Sequence, residues 1–367
     1  GFSMPNIIHA ADLHIGAKFE FLPPESAAQA IRLQLTALKA LVEHAASSAA
    51  DALLIAGDLF DTPEVRPQIS SVVFSILSKC PCPIFLSPGN HDYYHAASPY
   101  ATQPLPSNLH VFTSRTLTPV ALADGSTVIW GAAFQDNKAS IPLDVRLDPF
   151  KLNICLLHGE LGGNSGYNAI SESAVISSRF DYIALGHNHR FSGVFRIGET
   201  ALSCPGCFSA TASNETGVKG YLSGKIDKSI AALTLHPSGT AQFEDVSLSI
   251  SGLSDDTALA EALFPLLPTP TEHICLTVHL TGTRMYEPNL EALSRSLRKT
   301  FLHAQVFDES AAMQDPYRYK DEDGLRGTVT RDFMHRISEN SHDEQTYAKL
   351  SLALEYALAA LEGRDPE

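Results

Sequence analysis

Three short apolar runs, 6–10, 52–56 and 83–86, open this chain, and each hands over to a polar cluster. Apolar runs of this length, without polar alternation, read as strands buried on both faces. Between the first two, Ala28, Ile31, Leu35, Leu38, Leu41 and Val42 recur at helical spacing within 24–48. Pro63 and Pro67 mark the entry to a second helix over 67–79. The order β-α-β-α-β argues for a parallel sheet with right-handed crossovers. In such a sheet the residues just past the strand ends share one edge, where α/β folds hold ligands. The clusters on that edge are Asp12-Leu13-His14, Gly57-Asp58-Leu59-Phe60-Asp61 and Gly89-Asn90-His91-Asp92. Gly57 ends its strand in a tight turn and presents Asp58. A carboxylate there can bridge two cations with its two oxygens.

Past about residue 105 the strands shorten, near 110–112, 120–122 and 128–133. A strand over 153–157 ends in His158-Gly159-Glu160, and one over 182–185 ends in Gly186-His187-Asn188-His189. A helix near 171–178 separates them, and segments 194–197, 220–226 and 231–235 are strand-like. The expected fold for 4–248 is α/β, a two-sheet sandwich flanked by helices in four layers. A Ser/Asp/Gly-rich boundary at 249–256 precedes a small α+β cap over 251–310, with strands at 274–280 and 304–306 and a helix at 289–301. Residues 311–367 form a helical tail from Gly324 on, broken near Asn340-Ser341 and carrying a stripe of Leu350, Leu354, Leu358 and Leu361.

Composition excludes some classes. With 44% hydrophobic and 18% charged residues, the chain is expected to be a soluble, cytoplasmic globular protein. It has no apolar run of the roughly 20 residues a membrane span needs. A formal net charge of −15 argues against non-specific coating of nucleic acid, less so against an enzyme whose divalent cations reverse the charge locally. Six cysteines make no disulfide framework, and Cys204-Pro205-Gly206-Cys207 stands alone, so buried thiols are expected there.

A single His or Asp after a strand is usually a cap or turn residue, but this whole set is not explained that way. Carboxylate, amide and imidazole together suit Mn²⁺, Fe²⁺ or Zn²⁺. In an extended chain, Asp12-x-His14 and His187-x-His189 would each put two ligands on one side. Asp12-x-His14, Gly57-Asp58-x-x-Asp61, Gly89-Asn90-His91-Asp92, His158-Gly159 and Gly186-His187-x-His189 occur in order, and the series resembles the calcineurin-like metallophosphoesterases. The wording of 8–16 and 57–61 looks most like the SbcD/YhaO type of DNA repair exonuclease.

That resemblance implies two divalent metal ions, Mn²⁺ first. Asp12, His14, Asp58 and His189 would hold one; Asp58, Asn90, His158 and His187 would hold the other. It implies His91 as a catalytic group beside the metals, with Asp61, or else Asp92, orienting it. His9 is expected to back a ligand or pack in the strand core rather than to ligate. Tyr93, Tyr94 and His95 are read as a packed loop, with base stacking the alternative. The expected activity is a hydrolase acting on phosphodiesters, a DNA exo- or endonuclease in end processing or repair; a small-nucleotide phosphodiesterase or phosphatase is the alternative. Expected partners are DNA ends or single strands, an SMC-like coiled-coil ATPase docked on the tail, and a second copy of the chain. Arg284, Arg295, Arg298 and Lys299 are candidates for DNA-backbone contacts.

Overall fold

The structure is a computed structural model describing residues 4–163 and 166–363. The opening runs form β1 (Asn6–Ala10), α1 (Pro24–Ser47), β2 (Ala52–Ile55), α2 (Pro67–Leu77) and β3 (Ile84–Leu86); a short α3 (Pro99–Thr102) leads to β4 (Leu109–Val111). Strands β1 to β4 pair side by side and in parallel. Ala10, Ile55 and Leu86 are level in the register, so three polar clusters leave the sheet at one edge.

The second sheet begins with β5 (Thr118–Ala121), β6 (Thr127–Gly131) and β7 (Leu152–His158). After the short paired strands β8 (Glu160–Leu161) and β9 (Ala169–Ile170) come α4 (Glu172–Ser178), β10 (Tyr182–Gly186), β11 (Phe195–Ile197) and β12 (Thr200–Ser203). Its order is β11-β12-β10-β7-β6-β5, and Gly186 lies opposite His158 in parallel register. That pairing sets the His187 loop beside His158. Strand β12 is not legible in the sequence: Thr-Ala-Leu-Ser has no alternation, and its parallel pairing with β10 holds it wholly buried. Strands β13 (Gly220–Ile226) and β14 (Ala231–Pro237) return, antiparallel, to the β1 edge of the first sheet.

Period-two geometry sorts the side chains of each strand into separate cores. Ile8, Leu53, Ile55 and Leu86 face α1 and α2, with Leu38, Leu41, Val73 and Leu77. Ile7, Leu54, Phe85, Ile154, Leu156 and Tyr182 fill the space between the sheets. Cys155, Leu157, Ile183 and Leu202 pack outward against Val175 of α4. The four expected layers, helix-sheet-sheet-helix, are present. Each fully buried Leu or Ile contributes roughly 1.5–3 kcal/mol, so this triple core fixes the strand ends firmly.

The rest of the chain holds β15 (Gln242–Ser249), α5 (Asp256–Leu263), β16 (Ile274–Thr281), β17 (Thr283–Arg284), α6 (Leu290–Leu297), β18 (His303–Asp308), β19 (Ala311–Ala312), α7 (Leu325–Glu339) and α8 (Glu344–Glu362). Strands β15, β16 and β18 form one sheet, and β17 pairs with β19. Two compact units interleave along the chain: Gly1–Val246, Leu266–Val278 and Leu290–Phe307 in the first, Ser247–Pro265, His279–Asn289 and Asp308–Glu367 in the second. In the second, Leu354 and Leu358 of the tail stripe are buried against Ile337 of α7, with Leu350 beside them and Leu361 exposed. Most of the stripe is therefore core packing of a helical pair. No helix among the described residues is long and apolar enough to cross a membrane.

Candidate metal centre

The loops after β1 and β2 are laced together: the Asp12 amide donates to the Gly57 carbonyl at 3.1 Å and the His14 amide to the Asp58 carbonyl at 2.9 Å. Asp12 (φ 52°), His14 (φ 46°), Asp58 (φ 51°) and His187 (φ 83°) all have left-handed backbone. Such conformations cost of order 1–3 kcal/mol each and persist where the surroundings over-determine them. They also correct the extended-chain argument. Asp12 and His14 converge because the loop curls, and His187 and His189 part, each joining a different group of donors.

The first group is Asp12, His14 and His189. His189 Nε2 lies 3.2 Å from His14 Nε2 and 3.7 Å from Asp12 Oδ1. His14 Nε2 is 3.9 Å from both Asp12 Oδ1 and Asp58 Oδ2. The second group is Asn90, His158 and His187. Asn90 Oδ1 lies 2.9 Å from His158 Nε2 and 3.2 Å from His187 Nδ1, and His158 Nε2 is 3.3 Å from Asp58 Oδ2. The seven expected ligands thus meet at one edge of the two sheets. The bridge differs in detail from the expectation. Asp58 Oδ1 accepts the His91 amide at 2.9 Å, and Oδ2 alone faces both groups.

The donor set fits cations. The Ala56 carbonyl, 2.9 Å from His158 Nδ1, can only accept, so that nitrogen carries the proton of the neutral ring. Nε2 is then the atom left to ligate, and it meets Asn90 Oδ1 and Asp58 Oδ2. Burial opposes ionisation of Asp58, but the imidazoles of His158, His14 and His91 outweigh it and hold its pKa below the usual carboxylate value. Burial likewise opposes charge on His14, yet Asp61, Asp58 and Asp12 raise its pKa to about 9. His187 goes the other way, lowered by burial and by His158.

His91 is exposed, its Nδ1 donating to the Asp61 backbone carbonyl at 2.9 Å and its ring edge-on to His14, centroids 4.8 Å apart. Here the expected role of Asp61 is corrected: its carboxylate faces His14 Nδ1 at 3.2 Å, not His91. Nor does Asp92 orient His91. It is buried and accepts the amides of Asp58, Leu59 and Gly89 at 3.1, 2.8 and 2.7 Å, and the Tyr100 hydroxyl, clamping two ligand loops together. His9 is buried against Tyr182 and the Leu185 carbonyl, away from the donors. Tyr93 and Tyr94 pack on the cores, as a packed loop should. Cys204 and Cys207 are buried free thiols whose pKa burial pushes up to about 12.

A family model for calcineurin-like phosphoesterases matches residues 5–191. The chain belongs to that family. A metallophosphoesterase described as uncharacterized, YhaO of Bacillus subtilis (strain 168), is 27% identical over 298 residues, covering 75% of this chain and 71% of the relative. Two solved structures also resemble it. TT1561 of Thermus thermophilus is 14% identical, over 64% of this chain and 100% of that one, with a TM-score of 0.41. An archaeal phosphodiesterase is 11% identical, over 63% and 99%, with a TM-score of 0.36. Family membership makes the protein a metal-dependent phosphoesterase and accounts for the two adjoining donor groups.

One residue of this phosphoesterase's centre is invisible in its motifs. Glu215, on the loop before β13, places Oε1 on His189 Nδ1 while Oε2 accepts the Thr211 and Ala212 amides at 2.7 and 3.2 Å. Burial disfavours its charge, but His189 and those amides bring its pKa down to about 2. The carboxylate fixes the tautomer that leaves His189 Nε2 free to ligate. Glu215→Gln is expected to weaken binding of one of two divalent cations about 10–100-fold, leaving the other unchanged. Calorimetric titration of Mn²⁺ checks this, and two unchanged sites would remove Glu215 from the centre.

Proposed function

We propose that this protein is a metal-dependent phosphodiesterase, Mn²⁺ its first-choice ion, that hydrolyses DNA at ends or in single strands. The observation that carries the hydrolytic part is the pair of donor groups sharing Asp58 Oδ2, with His91 exposed at their rim. Asp12, His14, Asp58 and His189 would hold one cation, and Asp58, Asn90, His158 and His187 the other. Bound there, two divalent cations supply Lewis-acid activation of water and charge neutralisation at phosphorus. The protein's own part is to hold those donors still and to move a proton. His91 Nδ1 is held by the Asp61 carbonyl, so Nε2 is the atom that delivers a proton to the departing sugar oxygen.

A departing alkoxide needs that proton, whereas a nitrophenolate does not. His91→Ala is therefore expected to lower DNA hydrolysis about 10²–10⁴-fold and to spare a nitrophenyl diester largely. The test is Mn²⁺-dependent shortening of end-labelled linear DNA by the wild type beside His91→Ala. If the wild type leaves DNA intact but cleaves the small diester, the DNA assignment falls and the small-nucleotide reading replaces it.

The DNA assignment is supported by the wording of residues 8–16 and 57–61. It draws little from the second unit's arginines: Arg284 is held by Glu287 and Asp308. Arg295 and Arg298, in the first unit, are engaged by Glu291 and the Ala304 carbonyl. The same reading includes an SMC-like coiled-coil ATPase and a second copy of the chain as partners. On α8, Leu352 and Tyr356 stay exposed, and they are the residues on which such a partner would sit.

A further inference from the structure

Beside Asp61, the residue whose carbonyl holds His91, a groove of about 590 Å³ opens between the segment 16–21 and the segment 61–66. Phe21 on its wall is 44% exposed, but its back is fixed. It rests on Phe243, centroids 5.5 Å apart, and on Phe19 at 6.2 Å, and both of those rings are buried. This is a rigid aromatic platform with one free side. Across the groove Arg66, at the head of α2, is exposed and makes no ion pair among the described residues. Lys18 adds a second cation, engaged by an exposed Glu20 at 3.5 Å, an ion pair that water weakens.

Position gives this groove its meaning. His91 delivers its proton on the side of the phosphorus from which the leaving group departs. The groove is lined by Asp61, the residue that fixes His91, so it lies open to a strand leaving on that side. We infer that the groove is a leaving-side subsite for single-stranded DNA: the base of the first departing nucleotide stacks on Phe21, and the next phosphate meets Arg66. Stacking on an aromatic face tolerates any base, and a guanidinium suits a phosphate oxygen pair. The inference rests on the phosphodiesterase reading above and adds the part of the substrate that this chain grips.

The test compares kcat/KM, with Mn²⁺, on a single-stranded oligodeoxynucleotide and on bis(p-nitrophenyl) phosphate, which carries neither a nucleobase nor a second phosphate. Phe21→Ala is expected to lower the oligonucleotide-to-diester ratio about tenfold, and Phe21→Trp to restore it. Arg66→Gln should lower the same ratio and flatten its dependence on salt. An oligonucleotide with an abasic residue just past the scissile bond should lose the same factor with the wild type, and Phe21→Ala should then cost nothing more. That arm needs no variant to fold. Equal ratios for wild type, Phe21→Ala and Arg66→Gln, with the abasic substrate cut normally, overturn the subsite and leave the phosphodiesterase reading standing. Failure of the wild type on both substrates overturns both.

Discussion

Asp58→Asn should fold as the wild type does and yet hydrolyse phosphodiesters at no more than about a thousandth of its rate, since a catalytic cation supplies several kcal/mol and each 1.36 kcal/mol is tenfold. Asparagine keeps the shape and can keep one oxygen on the His91 amide, now 2.9 Å from Asp58 Oδ1. The atom facing His14 and His158 is then an amide nitrogen. It carries no charge, and its two hydrogens point where Oδ2 now offers lone pairs. Both donor groups lose their common member, so the defect is shared by two sites and not confined to one. Mn²⁺ titration should show neither wild-type site, while far-ultraviolet circular dichroism stays unchanged. A variant that still bound two ions tightly would mean the groups are separate sites and Oδ2 bridges nothing.

The residues of the centre were legible in the sequence because burial on both faces leaves strands as plain apolar runs. Everything polar at their ends then stands out. The five blocks, from Asp12 to His189, each follow such a run, which is what assigns them to one edge. What the sequence hid was side-chain direction. Nothing in Asp12-x-His14 signals the left-handed backbone at both positions. Nothing in Gly57-Asp58-x-x-Asp61 says that the Asp61 carbonyl serves His91 while its carboxylate serves His14. Glu215 lay beyond reach for another reason. Its segment has no period, and its carboxylate is set by the Thr211 and Ala212 amides of its own loop, local bonds that only the folded turn creates. Strand β12 and the interleaved units were hidden because pairing with distant segments, not local pattern, defines them.

The closeness of the loops leads to the other large effect, Gly89→Ala. In most places such a change is mild, and where the backbone allows it the unfolded chain loses freedom and stability rises by about 0.4–1 kcal/mol. Gly89 has no left-handed φ to forbid alanine. Space decides the sign instead. A methyl group there would stand on Asp58 Oδ1 and 2.8 Å from His158 Cγ. Neither neighbour can step aside cheaply. Asp58 Oδ1 is tied to the His91 amide, and His158 Nδ1 to the Ala56 carbonyl. The Gly89 amide is itself tied to Asp92 at 2.7 Å, so the loop cannot back away without releasing that clamp. Relief must come from displacing a shared ligand, a second-group ligand, or both. Gly89→Ala should therefore lose Mn²⁺ binding and turnover as a ligand variant does, and should lower stability in chelator by roughly 1–3 kcal/mol from overpacking. Gly125→Ala is the contrast: its φ of 67° strains an alanine, but nothing lies within 4 Å, so turnover should hold. Titration calorimetry and chelator melts on both proteins separate the outcomes. If Gly89→Ala kept two ions and wild-type turnover, the loop would have room to retreat, and the Asp92 clamp would not be what holds Asn90 and Asp58 at ligating distance.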